Sequence, residues 1–161
     1  MPIKRRSGSA CDGWGAILKG LLRVLLLGLG GSAVAIAAAI LVFGAGATAH
    51  AFEAAFDAVS GSAHPSEGAW PAVMDSELRF YAALWGAYGL LLIAVARRLE
   101  AHGRWIPWLA LVFFLGGVGR VLSLVLVGPP HPMFVLLMGL ELALPPVIVL
   151  VWREARPGLA A

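Results

Sequence analysis

Apolar residues fall along this chain in four near-continuous blocks, at about residues 22–44, 78–96, 105–127 and 133–152, with short polar breaks between them. Each block is close to the ~20 residues a helix needs to cross a ~30 Å hydrocarbon layer, and none shows the strict alternation of a strand. The pattern predicts an all-α membrane protein, a four-helix transmembrane bundle forming one domain over residues 1–161. Residues 44–75 make the longest connection. Within it Phe52, Phe56 and Val59 recur at i, i+4 and i+7, while His50, Glu53 and Asp57 share another side. That spacing suits a short amphipathic helix lying at the membrane surface in the first outer loop. Gly128-Pro129-Pro130-His131-Pro132 is a stiff turn, short enough to make the third and fourth spans an antiparallel hairpin.

Small residues suggest how the spans pack. In the first block Gly28 and Ser32 are four apart, as are Gly31, Ala35 and Ala39. On a helix such rows let another backbone approach closely, so these rows are expected at a helix contact.

Composition sharpens the class. Of 161 residues, 60% are hydrophobic and 13% charged, with a mean hydropathy of +0.88; a soluble domain carries roughly 25% charged residues. Four spans and their connections leave no room for a separate soluble domain. The basic residues are unevenly placed. Lys4, Arg5, Arg6, Lys19 and Arg23 gather at the start, Arg97, Arg98 and Arg104 between spans two and three, and Arg153 and Arg156 after span four, while only Arg79 lies near the other face. The positive-inside rule then puts both termini in the cytoplasm and the 44–75 loop outside. The formal charge of +3 reads as topology and attraction to anionic lipid, not nucleic-acid binding.

Other signals are weaker. Ala47-Thr48-Ala49 resembles a signal-peptidase site, but the apolar run before it has about twenty residues where a signal core has roughly 7–15, so retention as a span is expected. Cys11 is the single cysteine, which excludes a disulfide within the chain and reads as an ordinary cytoplasmic thiol. Trp105, Trp108 and Trp152 fall where an aromatic belt on one membrane face is expected.

Two ionisable residues interrupt the apolar blocks, Arg120 in the third and Glu141 in the fourth. A charge at that depth costs at least ~2.5–3.5 kcal/mol, so it is expected to be paired, to line a wet cavity or to serve a function. Arg120 is eight residues before Gly128 and Glu141 eight after Met133, which places both ~12 Å below the outer surface at 1.5 Å per residue. Being level on hairpin neighbours, they are expected to form a salt bridge. Pro145 and Pro146 lack the N–H groups that would bond the carbonyls of Glu141 and Leu142, and the Arg120 guanidinium has donors to offer them. Gly116, Gly117 and Ser123 lie a turn away on its face. Tyr88 of span two is expected to join this polar centre, with Glu77, Arg79 and Tyr81 near its outer mouth.

Ser76-Glu77-Leu78-Arg79-Phe80-Tyr81, the Gly116-Gly117-Val118-Gly119-Arg120-Val121-Leu122-Ser123 stretch running on to Gly128-Pro129, and Glu141 four residues before Pro145 together resemble a bacterial four-span membrane family, domain of unknown function 4345. The resemblance covers roughly residues 28–152. It implies a multi-pass protein of the bacterial inner membrane, with Glu77, Arg79, Tyr81, Arg120, Ser123 and Glu141 at the recurrent polar positions. Ala82 and Ala83 stand where the family pattern suggests glycines. The family implies no activity.

Two function classes therefore compete. The first is a structural or accessory subunit, packing against a larger membrane complex or a copy of itself, which requires Arg120 and Glu141 sealed among helices with no cavity. The second is a binder or carrier of a lipophilic molecule, a quinone or a lipid, which requires a pocket beside them. An enzyme using Glu141 as acid or base ranks lower, because the chain has no P-loop, dinucleotide fingerprint or Gly-x-Ser-x-Gly elbow. No cofactor is expected. Nor is a metal site: His50, Glu53 and Asp57 could meet on one helical side, but His64 and His131 are separated by spans and no Cys/His cluster has ligand spacing.

Overall fold

The computed structural model describes residues 9–64 and 70–156, and all its regular elements are helices. They are α1 (Ser9–Phe43), α2 (Ala45–Ser60), α3 (Ala72–Arg97), a single turn α4 (Leu99–His102) followed by a 3-10 turn (Gly103–Trp105), α5 (Ile106–Leu126) and α6 (Pro132–Ala155). Four of them, α1, α3, α4 continuing into α5, and α6, are long and apolar enough to cross a membrane. Their outward faces carry large apolar side chains such as Leu111, Leu115, Leu122 and Val125, which suits contact with lipid and would be a liability in water.

The bundle order is α3, α1, α6, α5, with α1 packed chiefly on α3 and α5 on α6. A core of Leu22, Leu26, Leu92, Val95, Leu99, Ile106, Ile148 and Trp152 closes one end, where the chain passes from α3 to α5. Arg23 donates from Nε to the Ala96 carbonyl at 3.1 Å, satisfying a carbonyl of the last turn of α3. Trp152 is 8% exposed. It is thus a core residue, not a member of the expected belt; the Arg156 guanidinium lies 4.7 Å from its ring centre. Trp105 and Trp108 remain exposed.

The close approach of α1 to α3 uses a different row from the one the spacing suggested. A Cβ on Gly30 would lie 2.7 Å from the Gly89 carbonyl oxygen, and one on Gly89 would lie 2.7 Å from the Gly30 oxygen. Ala33 and Ala37 continue the buried line. Gly28 and Gly31 face open space, and Ala35 is exposed.

At the other end α2 folds back over the bundle. Gly44 makes the corner with φ of +90°, a conformation that favours glycine. Asp75 at the start of α3 accepts the Ala45 N–H at 3.0 Å and so caps α2 from another helix. Arg79 donates from Nε to Asp75 at 2.7 Å and from Nη1 to the Leu41 carbonyl near the end of α1. The pair ties the α1–α2 corner to α3. The α2 helix exists where the periodicity put one, but its orientation differs: Ala45, Thr48, Ala49 and Glu53 are buried, whereas Val59 is 91% exposed. The inward side therefore includes a carboxylate. Ala47-Thr48-Ala49 lies within this intact helix. Cys11 lies in the first turns of α1, and Lys4, Arg5 and Arg6 are outside the described residues.

Candidate functional site

Between the closed core and the α2 cap the helices leave space. A cavity of about 580 Å³ lies there, walled by aliphatic side chains of α1 and α6 and by Phe52, Trp70, Trp85 and Phe113, with Arg120 and Glu141 on its lining. A second cavity of about 230 Å³ is bounded by Glu53, Trp70, Arg120, Ser123, His131 and Phe134. Arg120, Trp70 and Phe134 border both.

Arg120 donates from Nε to Glu141 Oε2 at 2.8 Å. Its side chain keeps 41% of its surface, against 11% for Glu141. The guanidinium carbon lies 5.9 Å from the Phe134 ring centre, within the range of a cation–π contact. Among the described residues, the remaining guanidinium N–H groups have no protein acceptor. In particular, none reaches the carbonyls of Glu141 or Leu142 that Pro145 and Pro146 leave unbonded, contrary to the sequence expectation. The guanidinium is directed instead by the carboxylate and the Phe134 ring.

The α5–α6 contact depends on Gly117. A Cβ there would meet Leu142 Cδ2 at 2.9 Å and Glu141 Cβ at 3.1 Å, whereas one on Gly116 would come no closer than 3.9 Å to Glu141 Oε2. Gly117→Ala is expected to lower stability by about 1 kcal/mol, since the Leu142 side chain can turn aside but the Glu141 Cβ is fixed to the α6 backbone. Gly116→Ala should leave it unchanged; paired thermal melts in detergent check the contrast.

Tyr88 does not join the polar centre. Its hydroxyl donates to the Leu109 carbonyl at 2.8 Å, eleven residues before Arg120 on the same helix, and its ring stacks on Trp85 at 5.2 Å. The aromatic residue of α3 that does reach the cavity is Trp85, 5.9 Å from Phe113. Ser123 borders the smaller cavity. Arg79 is engaged with Asp75 and Leu41 as described, while Glu77 and Tyr81 are exposed, the latter against Phe80. None of these three lines either of the two cavities that reach Arg120.

Glu53, expected on the polar side of the surface helix, joins the site instead. It is 8% exposed, its Oε2 has no hydrogen-bond partner, and it shares the smaller cavity with Arg120. A buried carboxylate oxygen without a donor is rare in folded proteins. Only the folding back of α2 reveals it, because in sequence Glu53 is one of several acidic residues in the 44–75 connection.

The structure also corrects the separation of His64 and His131. Their ring centres are 4.9 Å apart, and both meet Asp57. The backbone N–H and ring of His64 hold the Asp57 carboxyl below the usual carboxylate range. One ligand atom from each of Asp57, His64 and His131 falls within 4.8 Å of the others.

No curated protein and no solved structure matches this chain. A family model does match, over residues 21–152, a range that contains the cavity walls, the α2 cap and the Arg120–Glu141 pair. The chain belongs to the family described as Domain of unknown function (DUF4345).

Proposed function

We propose that this small membrane protein binds or carries a lipophilic molecule whose anionic or hydrogen-bond-accepting head meets Arg120 while its ring or tail fills the apolar cavity. The observation that carries this reading is the cavity itself. At about 580 Å³ it is in the size range of small-molecule pockets, which are mostly apolar with a few polar groups that fix orientation. Arg120 supplies such a group, held by Glu141 on one edge and with donors to spare. A scaffold or accessory subunit needs the pair sealed without a cavity, so the space beside it supports the binding reading over the structural one.

Membrane lipids and quinones are the ligand classes that fit an apolar wall with one cation. The distribution of basic residues supports both termini on the cytoplasmic side and α2 on the outer side, and the family resemblance implies the bacterial inner membrane, which makes its outer leaflet the source of the ligand. The test is native extraction followed by mass spectrometry of retained lipophiles. Near-stoichiometric retention of one lipophile class is expected, with loss in the double variant Arg120→Leu, Glu141→Leu. Retention at equal occupancy in that variant, or recovery of an empty wild-type protein bound to a stoichiometric protein partner, would overturn the proposal.

A further inference from the structure

A second polar cluster lies where α2, the segment after it and the α5–α6 turn meet. Asp57, one helical turn beyond Glu53, accepts the His64 N–H on Oδ2 at 2.9 Å and faces His64 Nδ1 with Oδ1 at 2.8 Å. The same Oδ1 lies 3.3 Å from Nε2 of His131. The His131 side chain is only 5% exposed, and its Nε2 is buried without a hydrogen-bond partner. A buried ring nitrogen 3.3 Å from a carboxylate but not hydrogen-bonded to it is an unsatisfied polar group, which in the Nδ1–H tautomer a bound cation would satisfy.

The geometry points to a divalent transition-metal site, with zinc as the best chemical match, formed by Asp57, His64 and His131. Metal bonds of ~2.0–2.2 Å set the ligand atoms of a tetrahedral ion ~3.4 Å apart; the 3.3 Å from Oδ1 to His131 Nε2 is near that, and the 2.8 Å to His64 Nδ1, a hydrogen-bond distance, would widen when the ion displaces the proton between them. Two imidazoles and one carboxylate favour zinc over calcium or magnesium, which prefer oxygen-only sets. Three protein ligands leave a fourth position for water or another donor. The ion pins the α2 cap to the α5–α6 turn, since its ligands come from both, and it does so whatever occupies the apolar cavity.

One bond makes the proposal specific. His131 Nδ1 accepts the Met133 N–H at 3.2 Å at the start of α6, which places the ring proton on Nε2. Metal binding at Nε2 moves that proton to Nδ1 and opens the Met133 bond, so the ion and this helix cap are alternatives. Occupancy is therefore expected to make the Met133 amide exchange faster while the α2 amides exchange more slowly.

The test uses the full chain in micelles, stripped with a chelator and titrated with Zn²⁺ for binding and melting, and with Co²⁺ for visible d–d bands. Saturable binding of one ion per chain is expected, with a raised melting temperature. Asp57→Asn and His131→Gln should each weaken binding by at least the ~10–100-fold that loss of an outer-shell partner costs, and His50→Ala, on the exposed side of α2, should not. Absence of saturable zinc binding at low-micromolar concentration overturns the site. So does equal affinity in Asp57→Asn, a near-isosteric change that leaves the α6 cap in place should His131→Gln fail to fold.

Discussion

Arg120→Ala is expected to lower the melting temperature more than the double replacement Arg120→Leu with Glu141→Leu. The single change leaves Glu141, 11% exposed, beside an apolar cavity with its cation gone. The carboxylate then either stays charged in a low dielectric or takes up a proton. Breaking an enclosed pair in this way costs about 3 kcal/mol, at the low end of the usual range because Arg120 keeps 41% of its surface. The double change removes both charges and fills the space with hydrocarbon, an exchange that is often neutral or stabilising. Thermal melts in one detergent rank the two variants. A double variant less stable than the single one would show that the loss in Arg120→Ala does not come from a stranded Glu141 carboxylate. The double variant also separates folding from binding, since it should stay folded and yet lose the retained lipophile.

Gly30→Ala and Gly89→Ala are each expected to destabilise the bundle by about 1–3 kcal/mol, the usual effect of overpacking a tight contact. The added carbon would sit 2.7 Å from a backbone carbonyl of the facing helix in either case. A flexible side chain yields to such a contact, but here α1 and α3 themselves must separate. Each change would then loosen Leu22, Leu26 and Leu92 in the core beyond the crossing. Gly31→Ala is the control. Its Cβ meets nothing within 4 Å, so the better helix propensity of alanine should leave stability unchanged or raised. Equal losses at positions 30 and 31 would contradict the crossing.

That contrast marks what hydropathy along a helix does not encode. Gly31, Ala35 and Ala39 form as good a four-residue row as any on α1, yet the contact runs through Gly30, Ala33 and Ala37. Hydropathy marks one face of a helix only when the faces differ. Span one is apolar all round, so its rotation about its own axis carries no signal, and the shape of α3 selects the row. The same holds for Trp152 and Tyr88, which the structure places in the core and away from the polar centre, respectively. Their depth along the helix was readable, but the direction in which each side chain leaves it was not.

Distances measured along the chain therefore survived the passage to three dimensions. Block lengths gave four spanning helices, the Gly128–Pro132 turn gave the α5–α6 hairpin, and equal counts from that turn placed Arg120 level with Glu141, whose side chains meet at 2.8 Å. Tertiary structure alone decided which faces meet and what space is left between them. It turned Glu53 inward, joined His64 and His131 through Asp57, and opened the cavity beside Arg120. The physical reason is that rise per residue is a local property of the helix, while rotation and enclosure arise from the mutual fit of surfaces far apart in sequence.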